Sequence, residues 1–199
     1  RKRGTKYRYP DYGKGGEMTL FRISFSVLDP WSRGDIDEAL RRYYHKDVQP
    51  TQPMIEGKAL HELWKQETDT KKSLPAVFGG LPLVNPETEI KMEMMIDDWI
   101  QFVGVIDCLA EHTIIEYKTG RAGVHGYSSS WQPRCYQALV EANGYTVDTA
   151  MILFHNQHEQ FVQKGKIYLT DQSKKDAVEW IRTFSSEFRD ALDKTENHD

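Results

Sequence analysis

The chain has 199 residues, 39% of them hydrophobic and 12% aromatic, which is enough for a buried core in one domain. Its formal net charge of −4 excludes a uniformly basic coat protein, and its two cysteines, Cys108 and Cys135, are too few for a disulfide framework or a four-thiolate cluster. Because no apolar run reaches membrane-spanning length and no secretory signal pattern occurs, we expect a soluble protein of a reducing compartment.

The N-terminal segment, residues 1–16, is strongly basic. It carries six Lys or Arg residues against one acid, Asp11. Such a segment is either a mobile, solvated terminus, which is the more common case, or an arm that lies along a phosphate backbone. We therefore predict a flexible arm over residues 1–16 and a single domain over residues 17–199.

An extended segment and two helices are predicted in the first half of the domain. Residues 19–28 alternate large apolar side chains at Phe21, Ile23 and Phe25, which indicates extended structure. Residues 35–45 and 58–68 repeat apolar side chains every three or four positions, so both are predicted helices, the second opened by Gly57. A loop rich in proline and glycine follows over residues 75–86.

The second half is dominated by strands. Residues 89–96, 99–110 and 112–118 predict three strands, the last two joined by a short turn near Glu111. Residues 130–143 predict a helix that stops at Gly144. Two more strands are predicted over residues 149–155 and 164–169, and a long amphipathic helix over residues 174–192. This order predicts a mixed α/β fold, with one central sheet flanked by helices.

The clearest chemical signal lies in the second and third of the consecutive strands. Asp107 ends an apolar strand, and Glu116 and Lys118 share one face of the next, because side chains alternate along a strand. An acid and a lysine in an otherwise apolar strand are costly unless they serve each other or an ion. If the strands pair as a hairpin, Asp107 and Glu116 converge on an oxygen-rich site suited to Mg²⁺ or Mn²⁺. The alternative is a structural salt bridge.

Other polar groups are interpreted as structural. Glu89 and Lys91 repeat the acid-x-Lys spacing, but we interpret them as a strand pair without catalytic meaning. His155 and His158 follow a strand and are interpreted as part of a polar turn. Cys108 is interpreted as a small core residue.

Four motifs in this chain resemble those of the RecB-type branch of the PD-(D/E)XK nuclease superfamily. The active-site motif is Gly104-Val-Ile-Asp107 followed by Glu116-Tyr-Lys-Thr119, and this block is also similar to that of the mitochondrial genome-maintenance exonucleases. The other three, in chain order, are Phe25-Ser-Val-Leu28, Gly57-Lys-Ala-Leu-His61 and Gln132-Pro-Arg-Cys-Tyr136. The CRISPR adaptation nucleases belong to the same branch. The resemblance implies a restriction-endonuclease-like mixed sheet flanked by helices.

The resemblance also implies a metal-dependent site. Asp107 and Glu116 would bind the metal, with the Tyr117 carbonyl as a third oxygen and His61 as a further ligand that favours Mn²⁺ over Mg²⁺. Lys118 would orient or help to deprotonate the attacking water and reduce the charge of the phosphorane. The alternative for His61 is an ordinary core histidine. Many CRISPR adaptation nucleases hold an iron–sulfur cluster on four cysteines, and none is expected here.

Substrate contacts are assigned to a second set of residues. Gln132 and Tyr136 lie one helical turn apart and share a face, so they could orient Lys118 or hold a substrate phosphate. The alternative is a polar helix face with Tyr136 half-buried. Arg121 and Arg134 are further candidates for phosphate contacts.

The sequence therefore predicts a Mg²⁺- or Mn²⁺-dependent deoxyribonuclease. The resemblance implies an exonuclease on single-stranded DNA or duplex ends, and no element that reads base sequence is recognisable. Two alternatives remain: a catalytically silent DNA- or partner-binding module of the same fold, and a structural α/β protein whose acids pair with bases. DNA is the expected partner and no membrane contact is expected, in the cytoplasm or another reducing, DNA-containing compartment.

Overall fold

A mixed six-stranded β-sheet forms the centre of the computed structural model, which describes residues 20–44, 50–120, 123–156, 158–159 and 161–196. The strands are β1 (Phe21–Ser24), β2 (Glu87–Met95), β3 (Ile100–Ala110), β4 (Thr113–Gly120), β5 (Thr149–Asn156) and β6 (Phe161–Tyr168). Their order is β1-β3-β4-β5-β6, with β2 paired to β3. The pairs β1–β3 and β4–β5 are parallel and the others antiparallel. The predicted arm over residues 1–16 lies outside the described residues.

Helices flank this sheet. They are α1 (Phe25–Ser32), α2 (Ile36–Tyr43), α3 (Gln52–Lys71), α4 (Gly123–Ser128), α5 (Gln132–Ala142) and α6 (Asp171–Glu196), with a short 3-10 helix at Ala76–Phe78. No helix among the described residues is both long enough and apolar enough to cross a lipid bilayer. The predicted mixed α/β fold with a central sheet between helices is confirmed.

Strand β3 pairs with two different strands along one of its edges. Strand β2 pairs along its other edge, from Met95 opposite Gln101 to Glu87 opposite Leu109. On the first edge, β1 pairs with residues 100–103 and β4 pairs with residues 108–110. Residues 104–107 lie between these two partners, and we call this gap the sheet fork. Asp107 is the last residue of the fork, so the predicted catalytic acid lies directly before the segment of β3 that pairs with β4.

Two apolar clusters fix the helices on the sheet. On one face, α1, α5 and α6 contribute Leu28, Leu139 and Phe188 to the larger cluster. On the other face, Trp64 of α3 packs with Tyr117 of β4 in a smaller cluster. Within the described residues the faces of the sheet therefore differ: α1, α4, α5 and α6 pack on one face, and α3 covers part of the other.

Glycine in the sheet fork permits the approach of α5. A Cβ at Gly104 would lie 2.9 Å from Cδ2 of Leu139 and 3.1 Å from Cε1 of Tyr136. Both distances are shorter than ordinary carbon–carbon contact. The absence of a side chain at Gly104 therefore brings α5 close to the strand that carries Asp107.

Several predicted boundaries were wrong, including the starts of β6 and α6, which each begin three residues earlier than predicted. The extended segment ends at Ser24, and α1 begins at Phe25, whose ring stacks on Trp180 at 5.9 Å. Helix α3 begins at Gln52, with proline in its first turn, so Gly57 lies inside the helix and does not open it. Residues 123–128 form α4, a helix that the sequence patterns did not predict. His45, placed at the end of the first predicted helix, is outside the described residues.

Candidate functional site

Asp107 bridges the two strands at the sheet fork. Its Oδ2 accepts a hydrogen bond from the backbone N–H of Tyr117 at 2.9 Å. The last paired residues before this point are Cys108 and Ile115, so Asp107 and Glu116 follow as the next opposed positions. The carboxylate of Asp107 thus replaces a backbone pairing, and it holds Asp107 beside the peptide that joins Glu116 to Tyr117.

Glu116 is a buried carboxylate whose two oxygens differ in their hydrogen bonding. Its side chain is 1% exposed. Oε2 accepts hydrogen bonds from Nζ of Lys118 at 3.0 Å and from Nε2 of Gln132 at 3.1 Å. Oε1 is buried and has no hydrogen-bond donor among the described residues. A buried polar atom without a partner costs about 1–3 kcal/mol, and more when it is charged. Glu116 therefore fits a site completed by a cation.

The electrostatics of Glu116 point the same way. Burial, reinforced by the Asp107 carboxylate, raises the pKa of Glu116 to about 8, although Lys118 acts to lower it. At neutral pH the pair of carboxyl groups therefore retains a proton. A bound divalent cation would compensate both negative charges and release that proton.

Lys118 remains charged despite its burial. Its side chain is 19% exposed. Burial acts to lower the pKa of Lys118, but the carboxylates of Glu116 and Asp107 outweigh that effect and raise it. Lys118 is therefore an ammonium at neutral pH, which suits it to neutralise negative charge and makes it a poor base.

Helix α5 supplies one direct contact to this pair. Gln132 donates to Glu116, and Tyr136 lies one turn further along the helix. Tyr136 is 8% exposed and burial raises its pKa, so its hydroxyl remains protonated. Arg134 donates to the carbonyl of Ser130 at 3.1 Å and lies 5.6 Å from the ring centre of Trp131. Gln132 therefore contacts the site through Glu116, and Tyr136 lies next to Gln132 on the helix. Arg134 contacts Ser130 and Trp131 instead of the site. Arg121 is outside the described residues.

His61 lies at the side of the site, on α3. Its ring centre is 5.5 Å from that of Trp64 and 6.3 Å from that of Tyr117. Burial lowers the pKa of His61, with Asp107 acting to raise it and Lys118 to lower it. The imidazole is therefore neutral at physiological pH, the form that binds metals. Among the described residues, however, no three His, Cys, Asp or Glu side chains are grouped closely enough to hold one metal ion.

Tyr127 of α4 is a neighbour of Lys118 that the sequence did not reveal. Nζ of Lys118 lies 5.8 Å from the centre of the Tyr127 ring. Gly165 of β6 lets α4 approach, since a Cβ there would lie 2.6 Å from Cγ2 of Val124. Backbone N–H of Val124 also donates to Oε1 of Gln163 at 2.9 Å. The only sequence signal was a glycine within a predicted strand, which indicates close backbone approach without naming the partner.

Glu89 is a second residue whose position the sequence did not reveal. Its neighbours Thr88 and Ile90 pair with Cys108 and Ile106, so Glu89 lies level with Asp107 across β2 and β3. Its φ of 53° is left-handed, a conformation that costs a non-glycine residue about 1–3 kcal/mol. Burial and the Asp107 carboxylate raise the pKa of Glu89. This acid, interpreted from the sequence as unrelated to the site, therefore borders it.

Comparison with known proteins identifies the family of this arrangement. A model of the PD-(D/E)XK nuclease superfamily matches residues 31–198. No curated protein matches the chain at a significant level.

Solved structures share the fold at low sequence identity. The alkaline exonuclease LHK-Exo from Laribacter hongkongensis is similar with a TM-score of 0.55 and 9% identity, over 89% of this chain and 92% of that one. A phage-related exonuclease from Haemophilus somnus is similar with a TM-score of 0.53 and 13% identity, over 89% of this chain and 97% of that one. The protein SSO0001 is similar with a TM-score of 0.51 and 15% identity, over 87% of this chain and 77% of that one.

Proposed function

Because the chain belongs to the PD-(D/E)XK nuclease superfamily, we propose that it is a Mg²⁺- or Mn²⁺-dependent DNA nuclease that acts as an exonuclease on single-stranded DNA or duplex ends. The observation that carries the proposal is the buried Glu116 oxygen, which has no hydrogen-bond donor in the described part of the chain and lies beside the Asp107 carboxylate. Members of this superfamily generally use divalent metal ions. Two of the structural neighbours are described as exonucleases, and LHK-Exo was crystallised in complex with dAMP, a nucleotide.

The two carboxylates would hold the metal, which, when bound, lowers the pKa of a water molecule and stabilises developing negative charge on the phosphate. Oε1 of Glu116 and Oδ1 of Asp107 are the oxygens not used by the protein bonds described above. The Tyr117 carbonyl and the neutral His61 ring are proposed as additional ligands. His61 would favour Mn²⁺, because imidazole suits the later transition metals better than Mg²⁺.

Lys118 would act on the reacting phosphate as a fixed positive charge. Its raised pKa supports charge neutralisation and orientation of the attacking water, and argues against proton abstraction by Lys118. Gln132 holds the second oxygen of Glu116, with Tyr136 behind it. Phosphate contacts by Arg121 and Arg134 rest on the sequence alone.

Two free, buried thiols and a DNA substrate fit a reducing, DNA-containing compartment such as the cytoplasm.

A catalytically silent DNA- or partner-binding module is the second candidate. It is favoured by one observation: the described residues contain no ready group of three metal-binding side chains. Against it, both acids and the lysine of the motif are present and two of them are hydrogen-bonded to each other.

Digestion of end-labelled DNA tests the proposal. Single-stranded and duplex substrates are incubated with Mg²⁺, Mn²⁺ or a chelator. We expect stepwise loss of nucleotides from an end with either metal, faster with Mn²⁺, and none with the chelator. DNA binding without cleavage in any metal would instead identify the silent module, and cleavage that persists in the chelator would exclude the metal mechanism.

A further inference from the structure

Within the described residues, no helix packs on one half of a sheet face. Along β1, β2 and β3, alternate residues such as Ile23, Met92 and Phe102 are buried against the helices. The intervening residues point to the opposite face and are exposed or half-buried. We call these residues the sheet strip: Arg22 and Ser24 of β1, Lys91 and Glu93 of β2, and Val103 and Val105 of β3.

The sheet strip forms the floor of a groove of about 600 Å³, which is also lined by Phe25, Ser26 and Tyr136. The middle of the floor is apolar, formed by Val103 and Val105 of the central strand β3, and Val105 is 37% exposed. Arg22 and Lys91 place positive charges at its margins, and Arg22 lies 3.5 Å from the Glu93 carboxylate. An apolar floor with basic margins suits a ligand that combines flat apolar rings with negative charge.

The sheet strip ends beside Asp107, at the sheet fork. Asp107 follows Val105 by two residues on β3, a distance of about 7 Å along a strand. Beyond Asp107, Cys108 and Ala110 are buried in the cluster under α3. A nucleotide chain with one phosphate at Asp107 therefore meets covered sheet in one direction along β3 and the open strip in the other.

We propose that the sheet strip binds the unpaired nucleotides adjoining the scissile phosphate, with bases on Val103 and Val105 and a backbone phosphate at Lys91. This inference rests on the proposed nuclease function and names its substrate class as an unpaired strand. Base faces are accessible only when bases are unstacked and unpaired, so an apolar floor selects single strands over intact duplex. Glu93 keeps the net charge of the strip low, so base contacts contribute to affinity beside ionic ones.

Binding of short oligonucleotides in a chelator tests the inference without cleavage. Fluorescence anisotropy measures the affinity of a labelled single-stranded hexanucleotide, of the same chain with abasic sites, and of a blunt hairpin duplex. Lys91→Gln is expected to weaken hexanucleotide binding by about threefold and to reduce the dependence of log affinity on log salt concentration by about 0.7, the value for one phosphate contact on a single strand. Lys166→Gln is the matched control, because Lys166 is an exposed lysine in β6, outside the strip. It is expected to bind as the parent does.

The abasic chain keeps the phosphates and lacks the bases. We expect it to bind about tenfold more weakly than the intact hexanucleotide, and the duplex to bind more weakly than the single strand. Equal affinity of the intact and abasic chains, or equal losses in Lys91→Gln and Lys166→Gln, would overturn the inference.

A separate measurement keeps this inference distinct from the nuclease proposal. Hydrolysis of bis(p-nitrophenyl) phosphate by the unaltered protein with Mn²⁺ reports phosphodiester chemistry on a substrate without neighbouring nucleotides. If the binding results hold and hydrolysis is absent, the strip binds single strands and the nuclease proposal fails. If hydrolysis occurs and the binding pattern fails, the nuclease proposal stands and the strip has no part in substrate binding.

Discussion

Asp107→Asn is expected to abolish metal-dependent DNA cleavage and to leave the metal-free fold intact. In the parent, the backbone N–H of Tyr117 donates to Oδ2 of Asp107 at 2.9 Å. Asparagine retains a side-chain oxygen that can accept this hydrogen bond, so the bridge at the sheet fork is preserved. The substitution removes one of the two negative charges proposed to hold the cation. Loss of the metal's stabilisation of the transition state should lower kcat/KM by about a thousandfold or more.

Thermal unfolding with and without Mn²⁺ separates loss of metal binding from loss of folding. At about a hundred times its dissociation constant, a ligand that binds the native state adds about 2.7 kcal/mol to the free energy of unfolding. We expect this stabilisation in the parent protein and none in Asp107→Asn. Asp98→Asn, the same change at an exposed acid before β3, is the matched control and should keep both cleavage and stabilisation. Parental cleavage by Asp107→Asn would contradict the assignment.

Lys118→Met is expected to abolish cleavage with metal binding retained. Methionine keeps the apolar stem of the side chain, and Gln132 still donates to Oε2 of Glu116 at 3.1 Å. What is lost is the ammonium, and the loss of a preorganised charge at a reacting phosphate typically lowers kcat by about 10²–10³. The measurements are kcat on single-stranded DNA and the unfolding shift with Mn²⁺.

A second variant at the same position distinguishes the two roles considered for Lys118. Arginine is always charged and cannot accept a proton. Lys118→Arg should therefore recover part of the lost rate if the side chain neutralises charge, and none if it removes a proton from water. Lys166→Met, at an exposed position in β6, is the control and should have the parental rate. A normal rate in Lys118→Met would show that the ammonium takes no part in the reaction.

The strands that carry the candidate site were predictable because their signals are local. Alternation alone placed Glu116 and Lys118 on one face, and they are hydrogen-bonded at 3.0 Å. The short turn at Glu111 predicted the β3–β4 hairpin, which brings Asp107 level with Glu116. The helix over residues 130–143 was also predictable, because α5 ends before Gly144, whose φ is 89°.

The neighbours of these residues were not predictable because they depend on contacts between distant segments. Helix α4 forms because Gly165, more than thirty residues away in the chain, leaves room for Val124. The left-handed backbone of Glu89 occurs level with Asp107 on another strand, and no local rule places a non-glycine residue in that conformation within a strand. Helix α1 begins at Phe25 where alternation predicted more strand, because Val27 and Leu28 bury a helical face.

Glu116 is a residue that lowers the stability of the metal-free fold and serves the proposed function. The metal-free fold buries a carboxyl group beside a second one and leaves Oε1 without a donor among the described residues. Such groups are typical of functional sites, since a fold selected for stability alone would replace or pair them. The cation is therefore expected to stabilise the fold as well as the reaction.

Diffraction from crystals soaked in Mn²⁺, recorded for anomalous scattering, tests this account most directly. We predict an anomalous peak in contact with both Oε1 of Glu116 and the Asp107 carboxylate, at about 2 Å from each oxygen. If no anomalous peak lies between these carboxylates at saturating Mn²⁺, or if the peak lies in contact only with other residues, the two carboxylates do not form a metal site.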